Sequence, residues 1–364
     1  MIDLNIKRYR YGLVSRIGSH TLSRIAAVVA LVLTGNLAAC LGAPHDMATL
    51  PQVRTSEKVG LRLVQTIPLP NVAGRIDHLS IDMQGQRLFV AALENNTVEV
   101  LKLSTGKPIH IISGLSAPQG VLFVPALNEI YVSNGANGVC AIFNGDSFTL
   151  IDQIELSSDA DNLRYDRRTA SVYVGYGNGG LSLVDAATNQ AVGHITLDGH
   201  PESFQLERRG PRIFINIPSA NQIAVIDRVK RRVMTSWPLK NASANYPMAL
   251  DEIQHRLFVG FRRPARLGVY NTESGRLIAS LDSAGDADDI FYDAVLKRIY
   301  VIGGEGFIDI FAQQDADHYR LLTQIPTATG ARTGLLVPET DRLYVAVPHY
   351  GRQRAEVRVY ELQP

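Results

Sequence analysis

The chain has 364 residues, 46% of them hydrophobic and 20% charged, with 36 basic against 35 acidic side chains and two cysteines. A formal net charge of +1 leaves no overall field to hold a polyanion, so general nucleic-acid binding lacks its electrostatic driver. The 30 glycines and 17 prolines follow no collagen period and form no low-complexity block, which indicates many turns rather than disorder.

The first 24 residues carry Lys7, Arg8, Arg10, Arg16 and Arg24 against one acid, Asp3, and the wholly apolar run Ile25 to Leu33 follows. This is the layout of a secretory signal, and the run is too short for a spanning helix of about 20 residues. It ends in Leu37-Ala38-Ala39-Cys40, which resembles the lipobox of bacterial lipoproteins and makes Cys40 the expected lipidation site. Residues 1–39 are then a signal peptide absent from the mature chain, residues 40–59 a tether, and residues 60–364 the folded domain. An uncleaved membrane anchor is the alternative. The resemblance implies export across the inner membrane and anchoring through lipid. Leu41, where inner-membrane lipoproteins usually carry aspartate, implies the outer membrane facing the periplasm if the host is Gram-negative.

Beyond residue 60 one pattern recurs seven times: Arg87-Leu-Phe-Val90, Glu129-Ile-Tyr-Val132, Ser171-Val-Tyr-Val174, Arg212-Ile-Phe-Ile215, Arg256-Leu-Phe-Val259, Arg298-Ile-Tyr-Val301 and Arg342-Leu-Tyr-Val345. The spacings are 42, 42, 41, 44, 42 and 44 residues, the size of a four-stranded propeller blade. Short runs rich in Val, Ile, Leu and aromatics supply third strands, such as Gln222 to Asp227, and fourth strands, such as Leu321 to Pro326. The last unit has only three strands, near Thr333 to Val337, Arg342 to Val347 and Glu356 to Leu362. Its fourth is expected from Arg62-Leu-Val-Gln-Thr-Ile-Pro68, which matches Arg320-Leu-Leu-Thr-Gln-Ile-Pro326. The predicted fold is all-β: a seven-bladed β-propeller of 28 strands, four antiparallel strands per blade, with the N-terminal strand closing the last blade.

These repeats resemble the YVTN-type seven-bladed propellers, best at Tyr131-Val132-Ser133-Asn134 and Asn221-Gln-Ile-Ala-Val-Ile-Asp227, and the chain over residues 60 to 362 is similar to bacterial YncE-like proteins. Phe214-Ile215-Asn216-Ile217 and Tyr300-Val301-Ile302-Gly303 depart from the motif. The resemblance implies a secreted or periplasmic binding propeller and no single reaction.

Loops joining one blade's last strand to the next blade's first should ring one channel mouth. They are polar and differ from blade to blade, as expected of a scaffold carrying an asymmetric site. The candidate ligand-binding residues drawn from them are Arg75, Asp77, His78, Gln119, Asp161, Asn162, His200, Glu202, Tyr246, Asp288 and Arg332. Arg75 and Arg332, with Arg262, Arg263, Arg266, Arg352 and Arg354 nearby, predict a basic side suited to an anionic ligand. Asp161, His200, Glu202 and Asp288 could instead gather as a Ca²⁺ or Mg²⁺ site or an acid–base cluster, although loop carboxylates more often only cap turns. Cys140 reads as a core thiol and Trp237 as packing. Haem-attachment, nucleophile-elbow, zincin and phosphate-loop motifs are absent.

The expectation is therefore a monomeric, membrane-tethered propeller without a resident cofactor, binding a small molecule or an envelope protein at its mouth and no nucleic acid. A metal-dependent lactonase or lyase and an envelope-assembly protein are the alternatives.

Overall fold

The computed structural model describes residues 60–364, so the expected signal, tether and lipidated Cys40 lie outside the described residues. Within them are 28 β-strands in seven four-stranded antiparallel sheets and three short 3-10 turns. Each recurring motif is the second strand of a blade, and all seven begin where the repeat predicts, at Arg87, Glu129, Ser171, Arg212, Arg256, Arg298 and Arg342. Among the described residues no helix is long and apolar enough to cross a membrane.

The motif is apolar at consecutive positions because the second strand is covered on both faces. In blade 1, Leu88, Val90 and Ala92 pack toward blade 7, while Phe89 and Ala91 pack toward blade 2 against Val121, Phe123, Ile130 and Val132. The same alternation builds every interblade layer, so the core is a ring of layers rather than one centre. The basic residue that opens several motifs also ties strands together, as where the Arg87 guanidinium lies 2.6 Å from Asp82 at the end of the preceding strand. Cys140 is fully buried in such a layer, and burial pushes its thiol up to about 12. Trp237 stacks at a tilt on Phe214 with ring centroids 5.6 Å apart. Both roles are as expected.

Closure occurs where the matching segments place it. Gly60–Pro68 pairs antiparallel with Glu356–Gln363, completing the sheet of Gly334–Val337 and Arg342–Val347. Ile67 and Leu69 are buried beside Ala355, Val357 and Val359, and Arg62 forms an ion pair with Glu361 across the seam. Both ends of the described chain thus belong to one blade, and the sheet edge that Glu356–Gln363 would otherwise present is covered.

Candidate functional site

In six blades the first strand ends opposite the first residue of the motif strand, as in Asp82 opposite Arg87 and Asp166 opposite Ser171, and in blade 4 it ends one residue earlier in the same register, Leu206 opposite Ile213. This register puts the residue ten places before each motif at one level of the channel mouth. The seven are Asp77, Gln119, Asp161, Glu202, Tyr246, Asp288 and Arg332. All seven belong to the residues predicted from the loops. The other four flank the ring, Arg75 and His200 two residues before a ring position and His78 and Asn162 one after.

Two clusters form within the ring. In the first, Asp161, His200 and Glu202 each offer a donor atom, all within 4.8 Å of one another. The His200 Nδ1 lies 2.6 Å from the Gly177 carbonyl oxygen. A carbonyl can only accept, so Nδ1 carries the proton and Nε2 is turned toward Asp161 Oδ2, 3.7 Å away. Asn162 donates its amide to Asp161 Oδ2 at 3.3 Å, while its buried Oδ1 has no hydrogen-bond partner. Gln119 reaches Asp159 Oδ1 at 2.8 Å beside the same group.

The second cluster joins blades 1, 5, 6 and 7. His78 lies between Asp289 Oδ2, 3.5 Å away, and Asp77 Oδ1, 3.8 Å away. Arg75 bridges Asp77 and Asp288 at 3.0 and 3.5 Å, Arg262 holds Asp288 at 2.6 Å, and Arg332 holds Asp286 at 3.0 Å. The Arg262 guanidinium also lies 3.9 Å above the Tyr246 ring centroid. The basic side expected from Arg75 and Arg332 is therefore a mixed one, because adjacent aspartates occupy their guanidinium groups. Asp288 belongs here and not with the three metal-type donors. Arg262 and Arg263 end one strand and Arg266 lies in the next, on either side of the hairpin that joins them.

Crowding of carboxylates in a partly dry mouth shifts their proton affinities. Burial, reinforced by the charge of Asp161, pushes Glu202 up to about 8. Burial raises Asp77 to about 7 against the opposing pull of His78 and Arg75. For both histidines burial would favour the neutral ring, but neighbouring carboxylates outweigh it, raising His200 to about 9 and His78 to about 10. Asp161 moves the other way: contact with His200 and the charge of His78 overcome its burial and hold it below the usual carboxylate range.

The first cluster rests on a close backbone approach. Ser133 Oγ accepts from the Gly120 N–H at 2.9 Å and donates to the Asp161 carbonyl. A Cβ at Gly120 would meet that carbonyl oxygen and Ser133 Oγ, each at 2.5 Å. Gly120→Ala is therefore expected to cost about 1–3 kcal/mol of stability, as overpacking does. A thermal melt of the variant measures it, and an unchanged midpoint would refute the clamp.

The chain matches no protein-family model, and no curated protein matches it. Its likeness is to solved structures. One, from the crystal structure of a mitotic checkpoint complex, has a TM-score of 0.72 at 15% identity and covers 91% of this chain and 99% of its own. Another, Kuenenia stuttgartiensis hydrazine synthase, has a TM-score of 0.70 at 15% identity, with 82% and 97% covered. At that identity the likeness is one of fold, the seven-bladed propeller, an architecture compatible with ligand or protein binding.

Loop polarity identified the ring positions but not their partners. Asp159, Asp286 and Asp289 lie within the same segments and were not singled out; the only signal for them was that each segment carries more than one acid. Arg164 was missed entirely, although it is a charged residue inside a first strand.

Proposed function

We propose that this chain is a small-ligand-binding propeller of the YncE-like kind whose site is the upper channel mouth, and that it takes its ligand together with a divalent cation held by Asp161, His200 and Glu202. The observation that carries this reading is the convergence of one imidazole and two carboxylate donors within 4.8 Å. Donors sharing one ion lie no more than about 4 to 5 Å apart. The Gly177 carbonyl supports the assignment, since a hydrogen bond at Nδ1 is what orients a metal-binding histidine through Nε2. An imidazole in the set suits Mn²⁺ or Zn²⁺ better than the Ca²⁺ or Mg²⁺ suggested by oxygen ligands alone. A ligand carboxylate or similar anion would complete the coordination and meet Arg75, the most exposed guanidinium of the neighbouring cluster. If Cys40 is lipidated as expected, the site works at a membrane surface.

Calorimetric titration of the full chain with Mn²⁺ and Zn²⁺ tests this. One ion per chain should bind with release of protons from Glu202 and His200, and Asp161→Asn should weaken binding at least tenfold. Equal affinity in the variant, or no saturable binding in the parent, would overturn the reading. Three protein donors leave coordination positions open, which favours a second reading as a metal-assisted lactonase or lyase. Ion-dependent turnover of a lactone would support it.

A further inference from the structure

At the opposite end of the channel, the connections between first and second strands of blades 3, 4 and 7 surround a cavity of about 570 Å³, within the range of small-ligand sites. Its walls include Arg164, Arg167, Arg208 and Arg228. Arg228 is spoken for: 3.1 Å from Asp166, with both side chains almost fully buried, it also donates to the Glu207 and Gly210 carbonyls and so braces the cavity floor. Glu207 in turn is held by Arg212 at 2.5 Å. Glu339, the remaining acid of the lining, is exposed on the blade 7 side. Arg168, also in the lining, lies 3.9 Å from Asp166 and donates to the Arg209 and Gly210 carbonyls, which leaves Arg164, Arg167 and Arg208, none of them paired with a carboxylate among the described residues. Arg164 is the unusual one. Its guanidinium has a single hydrogen bond, 2.8 Å to the carbonyl of neighbouring Leu163, and lies 5.4 Å from the Phe204 ring centroid. The register of the first strands makes its equivalents Ser80, Leu122, Gln205, Ala249, Phe291 and Leu335, so Arg164 is the one charge in that ring of positions. Burial depresses its proton affinity, and the more distant charges of Asp289 and Asp161 only partly offset that.

We infer that this lower cavity is a second site, separate from the upper mouth, for a small molecule bearing a doubly charged oxyanion, with Arg164 as the inner contact and Arg167 and Arg208 at the rim. A guanidinium fork matches the geometry of both phosphate and carboxylate oxygens. The near-neutral charge of the whole chain does not oppose this, because the site depends on a local excess of arginine.

Isothermal titration of the full chain with inorganic phosphate, with succinate and with uncharged glycerol, at fixed ionic strength, tests the inference. One phosphate or succinate should bind per chain and glycerol should not; tighter phosphate binding assigns a phosphoryl group, and tighter succinate binding a dicarboxylate. Arg164→Met should weaken anion binding at least tenfold, Arg164→Lys should restore part of it, and Asp161→Asn at the upper mouth, which removes a negative charge that acts on Arg164, should not weaken it. Arg167→Ser combined with Arg208→Ser, both on the exposed rim, should weaken it several-fold and decides the matter if Arg164→Met does not fold. Parental affinity in a folded Arg164→Met chain or in the double variant, or no saturable heat from either anion in the parent, would overturn the site.

Discussion

Deleting residues 61–68 is expected to turn a closed propeller into an aggregating chain. The deletion strips Glu356–Gln363 of its antiparallel partner along nearly its whole length and leaves its backbone donors and acceptors as an open edge beside apolar Val357 and Val359. It also removes Ile67 from the layer between blades 7 and 1. Fully burying one such side chain contributes about 1.5–3 kcal/mol, and the vacated volume adds a cavity cost. Size-exclusion chromatography and light scattering of the truncated chain read the outcome directly, and a synthetic peptide of the deleted strand should restore solubility in part. A truncated chain that stayed monomeric with the parent's melting midpoint would show that the closing strand is dispensable.

The second large effect is on stability against pH, and its sign follows from the mouth. Glu202 and Asp77 hold their protons to about 8 and about 7 in the folded chain but to ordinary carboxylate values when unfolded. Stability from this source is fully present at low pH and is lost as pH rises from about 4 through 8. His200 and His78, raised to about 9 and about 10, contribute stability that is complete below about 6.5 and disappears as pH climbs through those values. All four act in the same direction, so the metal-free chain should be more stable at pH 5 than at pH 8.5 by a few kcal/mol, each tenfold change in proton affinity being worth about 1.4 kcal/mol. Glu202→Gln should flatten part of this dependence and stabilise the fold at pH 8 by about 1 kcal/mol or more, raising the melting midpoint by roughly 2 °C in a domain of this size. Melting curves of parent and variant at pH 5 and 8 check it. A variant less stable than the parent at pH 8 would mean that Glu202 is ionised and well paired there. The gain would come at the expense of cation binding, the familiar opposition between a comfortable fold and a charged site.

How much of this was legible in the chain depends on how local each feature is. The blades were legible because a second strand sandwiched between two neighbours must be apolar at consecutive positions, a pattern that Arg212-Ile-Phe-Ile215 and Arg298-Ile-Tyr-Val301 share despite different turns. The mouth ring was legible as positions, since the offset of ten residues from each motif does not vary around the ring. Pairing was not. Arg75 meets Asp288 from a blade more than 200 residues away in the chain, and nothing in either segment shows which charge faces which. For that reason a basic patch was expected where the structure has arginines and aspartates neutralising one another. Arg164 escaped for a related reason: a single charged residue in a strand otherwise reads as solvent-facing, and only the fold turns that face into a channel wall.

Each wall of the mouth is contributed by a different blade, one residue apiece, on scaffolding whose packing partners lie elsewhere. A substitution at Gln119 or Tyr246 can therefore alter what the mouth accepts while the strands behind it keep their layers intact. Such a ring can change its ligand one blade at a time, so that relatives with superimposable backbones need share no ligand at all.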